Sequence, residues 1–377
     1  MADDATGTTA GDTALHRSPL HPRHLELGAK LAPFGGWQMP LEYGGGVLKE
    51  HLAVRQRVGV FDVSHLGKIR LTGPGAAAYV DRCLTNALER IAPGKAQYSL
   101  ACDDATGGIV DDLICYLHGD DDVFLVPNAG NSAEVARRLA SSAPDDVVVV
   151  DQHHDHAVLA VQGPRSGEVL ARLGLPAELD YMSFEVAPLG GVALTVCRTG
   201  YTGERGYELV LPSSAAGSVW DALLEAGEPE GIAPCGLAAR DTLRTEMGYP
   251  LHGQDISLDV TPLQGRLGWA VGWGKPAFWG RETLLVEKQE GPRRVLRGLL
   301  AQGRGIPRHG MQVLLGDEPV GEVTSGTFSP SLRTGIALGL VATTVGEGEE
   351  VAVDVRGRKE PFTVTRPPFV DTHVRDS

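Results

Sequence analysis

Residues Gly108–Leu117 read GIVDDLICYL. The β-branched and aromatic residues suit a pleated strand, and strand alternation puts Asp112, Ile114 and Tyr116 on one face, with Asp111, Leu113 and Cys115 on the other. One surface therefore carries a carboxylate, an aliphatic patch and an aromatic ring. Aspartate is disfavoured within strands, so the Asp111–Asp112 pair marks either an exposed strand end or a chemical site. Two neighbouring runs, QYSLACD (97–103) and DVFLVPN (122–128), have the same texture, and the turn HGDD joins the central run to the second. A helix over Asn131–Ser141 follows, opened by the capping-box pair Asn131 and Glu134, and then the strand VVVV (147–150). Strand, strand, helix and strand predict an α+β unit.

Working outward, residues 1–12 (MADDATGTTAGD) are small, polar and acidic, which predicts a disordered tail. The Pro/Gly-rich PFGGWQMP (33–40) reads as loop, and Gly44–Gly46 as the entry to a helix over VLKEHLAVRQRVG. Between His156 and Leu251 strands and helices alternate: AVLAVQG, a helix from Pro164, VALTVC, YELVLP, a helix around Trp220, and LAARDTLRTEMG ending at Gly248. Beyond Arg293 nearly everything is strand and turn, which predicts an all-β C-terminal barrel or sandwich.

A length of 377 residues implies two or three domains. The formal charge of −14 argues against general nucleic-acid binding, which needs a broad basic surface, and no apolar run is long enough for a membrane helix. Five scattered cysteines without a CxxC pair fit reduced thiols and a cytoplasmic protein. No GxGxxG turn lies between a strand and a helix, so neither a flavin nor a nicotinamide is expected. The run His153, His154, Asp155, His156 invites a metal reading, but adjacent ligands point apart, and a solvated connection is the better expectation.

Two further segments present candidate binding groups. CRTGYTGERGYELVL (197–211) puts three glycines and two tyrosines on a tight loop feeding a strand, either a ligand-facing loop or a plain hairpin with Glu208 solvated. Arg240 and Arg244, four apart on one helix, are placed to clamp an anion or to pair with Asp241 and Glu246.

The stretches PLHPRHLELGAKLAPFGGWQMPLEY, EHLAVRQRVGVFDVSHLGK, GKAQYSL, GGIVDDLICY, TGYTGERGYE, GLAARDTLRTEMGYPLHGQDI and GEVTSGTFSPSL occur in unbroken order within a resemblance that runs from about Pro19 to Val370. Together they resemble the aminomethyltransferase family, and GKAQYSL with GEVTSGTFSPSL favours its glycine-cleavage branch. The resemblance implies a three-domain cloverleaf around a central folate funnel. Its discontinuous central folate-binding domain would span 13–66 and 152–257, an α+β domain carrying the catalytic aspartate 67–151, and a linker with the C-terminal β-barrel 258–377.

It implies that Asp112 is catalytic and that Tyr98, Ile114, Tyr116, Asn128, Tyr201, Glu208 and Arg240 form the folate site. Tetrahydrofolate would be the co-substrate, with no metal, flavin or nicotinamide. The lipoylated H protein would be the partner of an otherwise monomeric enzyme. Departures from the family pattern are Arg205 where Asp is usual, Arg266 where Gly is usual, Leu66 for Met and Pro127 for Val. Arg205, Arg266 and Arg281 are expected at the carrier-facing rim. Two alternatives stay open: another tetrahydrofolate-dependent demethylase on this scaffold, and a non-catalytic folate-binding assembly factor.

Overall fold

In the computed structural model, residues 14–375 are described, so the expected tail at 1–12 lies outside the described residues. The GIVDDLICYL run forms the strand Ile109–Gly119, second in a five-stranded antiparallel sheet. Its neighbours are Lys95–Cys102 on one side and Asp122–Val126 on the other, followed by Ile69–Thr72 and Val148–Asp151. Leu113 and Cys115 enter a core shared with Tyr79, Val80, Val135 and Leu139 of the helices Ala76–Cys83 and Ser132–Ser141. The opposite face of the strand is left for something else, as the alternation requires.

A second sheet has six strands, in the order Phe184–Leu189, Val192–Cys197, Gly206–Pro212, His156–Gln162, Gly59–Asp62 and Ala233–Pro234. The near-continuous apolar run of His156–Gln162 follows from burial on both faces. Ala157, Leu159 and Val161 pack toward Val169, Trp220 and Leu223 of the helices Ser166–Arg172 and Ala216–Gly227. Val158 and Ala160 pack the other way, with Val54, Ala239 and Leu243 of the helices Val47–Gln56 and Leu237–Met247. That second cluster also takes in Tyr116 and Phe124, so it joins the two sheets.

Residues Arg294–Thr365 close into a six-stranded antiparallel barrel, as the strand-rich C-terminal sequence predicts. Its Leu296, Leu338 and Leu340 share a cluster with Leu100, Cys102 and Ile109, which docks the barrel on the end of the five-stranded sheet. The fold is α+β, with two sheets and a barrel meeting around one cavity.

Two local expectations are corrected. PFGGWQMP is a hairpin rather than loop: Lys30–Phe34 and Trp37–Glu42 pair antiparallel across Gly35 and Gly36. Both glycines have positive φ, 54° and 85°, as a tight two-residue hairpin turn demands. Pro33 is tolerated because it lies on the edge strand, and Pro40 because the third strand reaches only Trp37 and Gln38. The Asn131–Glu134 capping box does not form: Asn131 makes no cap bond, and Glu134 pairs with Arg137 and Arg138.

The helix Leu237–Met247 ends at Gly248, whose φ of 70° supplies the left-handed cap. Its buried polar groups bind the barrel. Arg244 donates to Asp255 at 2.6 Å, to Ser325 at 2.8 Å and to the Tyr249 carbonyl at 3.1 Å. Glu246 accepts from Ser329 at 2.5 Å, from Ser331 at 2.9 Å and from Arg55 at 2.8 Å. Phe369 donates its backbone N–H to the Glu246 carbonyl at 2.7 Å, bringing the C-terminal segment back to the cavity.

Arg244→Ala removes the guanidinium from a buried pair and leaves Asp255 uncompensated. It is expected to destabilise the protein by about 3–5 kcal/mol in denaturant unfolding. A loss below about 1 kcal/mol would show that water reaches Asp255.

Candidate active site

The exposed-to-cavity face of Ile109–Gly119 carries the residues that the sequence singled out. Asp112, Ile114 and Tyr116 line a cavity of about 990 Å³ together with Tyr98, Asn128, Tyr201, Glu208 and Arg240. A volume of this order suits a substrate of drug-like size. All eight predicted site residues therefore share one surface, although they come from both sheets, from the loops that hold Asn128 and Tyr201, and from the helix Leu237–Met247.

Asp112 is held from two sides. The Tyr98 hydroxyl donates to its Oδ2 at 3.0 Å, and the Asn128 side-chain amide to its Oδ1 at 2.8 Å. Tyr98 lies opposite Ile114 on the adjacent strand, which puts its ring on the same face as Asp112. The same Asn128 amide lies 2.9 Å from Asp111 Oδ1, and the Asn128 backbone N–H donates to Asp111 Oδ2 at 3.0 Å. Asn131 donates to Asp111 Oδ1 at 2.7 Å and lies 2.9 Å from His252 Nδ1, while His252 Nε2 meets the Ile109 carbonyl at 3.0 Å. Asp111 thus faces away from the cavity, as the alternation predicts, yet it anchors the two asparagines beside Asp112. This is why the capping box is lost: Asn131 spends its amide on Asp111.

Burial pushes Asp112 above the usual carboxylate range, opposed by His252 and by the bonds from Tyr98 and Asn128. Asp111 is pushed well above that range by burial and then by the adjacent Asp112 charge, against the donors of both asparagines.

On the opposite wall Glu208 accepts from Thr199 Oγ1 at 2.6 Å, and Thr199 lies 3.2 Å from the Tyr116 hydroxyl. Glu208 is 9% exposed, so the solvated-hairpin reading of its loop does not hold. Tyr201 donates to the Pro250 carbonyl at 2.5 Å and presents its ring 4.8 Å from the Arg240 guanidinium. The two helix arginines part company. Arg244 is consumed by Asp255 and the barrel, whereas Arg240 has a buried Nη1 with no hydrogen-bond partner. Burial lowers Arg240 from its ordinary value, although Glu208 acts in the opposite sense.

Sequence reasoning missed Asn131, His252, Thr199 and Trp269. Trp269 stacks on Tyr98 with ring centroids 5.4 Å apart. Each is brought in by tertiary packing, and only the stretch GYPLHGQDI offered a hint of His252. Of the three arginines expected at the carrier-facing rim, Arg205 bonds the Ala177 carbonyl and the Tyr207 hydroxyl, and Arg281 bonds the Lys275 carbonyl and Glu282. Arg266 lines the cavity. In the 153–156 run His154 and Asp155 are exposed, while the half-buried His153 packs on Trp37 and bonds the His65 carbonyl. Among the described residues no group of three or more His, Cys, Asp or Glu is placed to hold a metal ion, and no helix is long and apolar enough to cross a membrane.

The cavity brings the carboxylates of Asp112 and Glu208 together with the rings of Tyr98, Tyr116 and Tyr201 and the Arg240 guanidinium, and the relatives of this chain identify its class as a folate-dependent transferase. Residues 20–275 match the GCVT N-terminal domain family, and residues 294–371 the glycine cleavage T-protein C-terminal barrel domain family. The aminomethyltransferase of Parafrankia sp. (strain EAN1pec) is 62% identical over 363 residues, 96% of this chain and 99% of that protein. That of Mycobacterium tuberculosis (strain ATCC 25618 / H37Rv) is 57% identical over 363 residues, 96% and 98% of the two chains. The crystal structure of glycine cleavage system aminomethyltransferase T from Bartonella henselae matches with a TM-score of 0.90 at 37% identity, covering 96% of this chain and 99% of that one.

The chain belongs to the aminomethyltransferase family, the T proteins of glycine cleavage. The demethylase and assembly-factor alternatives gain no support from these comparisons.

Asp111→Asn would set an amide against the donors of Asn128 and Asn131. It is expected to lower turnover by about tenfold with folding intact, since one misplaced buried hydrogen bond costs on the order of 1–3 kcal/mol. Turnover unchanged within about twofold would mean that Asp111 only fills the core.

Proposed function

We propose that this chain takes the aminomethyl group carried on the lipoyl arm of the H protein, passes its methylene to tetrahydrofolate and releases ammonia, in the cytoplasm and as a monomer apart from its carrier. The observation that carries this reading is Asp112. It is a carboxylate bonded by Tyr98 and Asn128 within a large open cavity, with Glu208 and Arg240 across from it.

Asp112 is the catalytic residue in this reading. Ionised, it accepts a proton from the attacking amine and stabilises positive charge near the transferred carbon. Tyr98 and Asn128 hold its two oxygens, so it need not reorient as charge develops. Glu208, steadied by Thr199, accepts from the amino-pyrimidinone edge of the pterin. Ile114, Tyr116 and Tyr201 supply the faces between which the ring lies. Arg240, with its unpartnered Nη1, meets an electron-rich oxygen of the ligand. This chemistry calls for no metal, flavin or nicotinamide.

The domain division follows from the same reading. The strand Gly59–Asp62 sits in one sheet with strands from 156 onward, which supports a discontinuous central unit of 13–66 and 152–257. The unit 67–151 and the linker and barrel of 258–377 complete the cavity.

The direct test measures methylenetetrahydrofolate and ammonia from an aminomethyl-loaded lipoyl carrier. Both products are expected in equal amounts. Asp112→Asn keeps the shape and removes the charge, so turnover should fall by about 10²–10⁴ while folate affinity stays within about tenfold. Equal losses in binding and rate would demote Asp112 to a ligand-holding residue.

The pH dependence has a definite sign. Burial raises Asp112, and the ionised form is the active one. The rate is therefore expected to decline as pH falls through a value above about 4, the ordinary carboxylate range. An acid limb at or below that value would contradict a buried ionising base.

A further inference from the structure

The half-buried His252 lines the cavity on the loop that follows the helix Leu237–Met247, and that loop is pinned along its length. The Tyr201 hydroxyl donates to the Pro250 carbonyl at 2.5 Å, the Leu251 N–H to Asp255 Oδ2 at 2.9 Å, and the Gly253 N–H to the Ile256 carbonyl at 2.8 Å. A little further on, the Ser257 carbonyl accepts from the Ile109 N–H at 2.9 Å. The loop is thereby laced to the start of the strand that carries Asp111 and Asp112, with His252 held between.

The two ring nitrogens of His252 have different partners, and those partners assign the proton. The Ile109 carbonyl, 3.0 Å from Nε2, can only accept, so Nε2 carries a hydrogen. Asn131 turns its NH2 toward the Asp111 carboxyl, with Nδ2 2.7 Å from Oδ1, and the same nitrogen lies 2.9 Å from His252 Nδ1. A donor facing Nδ1 requires a lone pair there, so the ring is the neutral Nε2–H tautomer. Both hydrogens of the Asn131 amide are then spent, one on His252 and one on Asp111. The Asn128 amide does the same one step nearer the cavity, with Asp111 Oδ1 at 2.9 Å and Asp112 Oδ1 at 2.8 Å. One chain of oriented donors runs from His252 through Asn131, Asp111 and Asn128 to Asp112.

We infer that His252 is a positioning residue for Asp112: its bare Nδ1 holds Asn131, and through Asn131, Asp111 and Asn128 it sets where the Asp112 carboxylate stands. The inference rests on the reading of Asp112 as the catalytic residue.

The physical basis is that Asp111 is fully buried and depends on its donors. Asn131 is restrained at both ends only while Nδ1 accepts. Without that acceptor its amide turns more freely, Asp111 loses a fixed donor, and the displacement passes to the amide that Asp111 shares with Asp112. A small misplacement of a reacting group costs rate while leaving ligand binding nearly intact.

Two substitutions isolate the acceptor. His252→Leu removes it, whereas His252→Asn puts an amide oxygen close to where Nδ1 stands. In steady-state assays on the full-length protein, His252→Leu is expected to lower kcat by about tenfold with KM for tetrahydrofolate changed by less than about threefold. His252→Asn is expected to restore kcat to within about threefold of the wild type. Ring-nitrogen NMR on histidine-labelled wild-type protein, with the His252 signal identified as the one lost in His252→Asn, should show a bare Nδ1 and a protonated Nε2. That measurement decides the matter even where His252→Leu fails to fold, since a protonated Nδ1 overturns the inference. Equal impairment of the two variants also overturns it, because the acceptor would then be irrelevant. So does a raised KM at unchanged kcat, which would make His252 a ligand contact, or a lowered melting temperature at unchanged kcat, which would make it merely structural. Wild-type turnover in Asp112→Asn would sink the reading of Asp112 itself, a result separate from any of the His252 variants.

Discussion

The helix Leu237–Met247 has to satisfy two demands at once, and the rest of the molecule is arranged around how it does so. Arg244 and Glu246 are buried charges, and a buried charge is tolerable only with partners of good geometry. Those partners are Asp255, Ser325, Ser329 and Ser331, three of them in the barrel, so barrel and helix are locked together by polar contacts rather than by apolar area alone. With those two residues committed, Arg240 on the same helix is left unpaired toward the cavity. The helix is at once the clamp between units and one wall of the site.

The carboxylate pair at 111 and 112 shows a comparable division of labour. Strand alternation sends one carboxyl to the cavity and one to the interior. The interior one would be costly alone, and it is made tolerable by Asn128 and Asn131. Those asparagines are thereby fixed in place, and Asn128 in turn holds Asp112. Asp111 therefore meets Asp112 through a shared amide, and in the proposed reading it is a positioning residue. Glu208 and Thr199 repeat the arrangement on the facing wall, where a hydroxyl fixes the carboxylate that faces the ligand.

Much of this was legible in the chain. Period-two alternation over GIVDDLICYL was enough to put Asp112, Ile114 and Tyr116 on one surface. The glycine after LRTEM marked the helix end, and the strand-rich C-terminal third announced a barrel. Where local reading failed, a longer-range contact had outbid a local signal. Asn131 has the spacing of a cap but bonds Asp111, twenty residues earlier in the chain. PFGGWQMP has the composition of a loop, but two adjacent glycines can close a hairpin, and its prolines fall where no ladder bond is needed.

What the sequence determined by itself is whatever depends on neighbours a few residues apart: which faces of strands and helices are apolar, where helices stop, and which residues share a face. The order of motifs also carried the family, since no rearrangement of the fold alters it. Tertiary structure alone decided which of the many charges are spent on holding the molecule together and which are left over for a ligand. Arg240 and Arg244 have the same residue type, the same helix and nearly the same face, yet one is neutralised by Asp255 and the other is not. Arg205 is held by the Ala177 carbonyl and the Tyr207 hydroxyl, whereas Arg266 lines the cavity. The physical reason is that an ionised side chain's role is set by the counter-charges and donors within a few ångströms of it, and those come from segments that folding alone brings together.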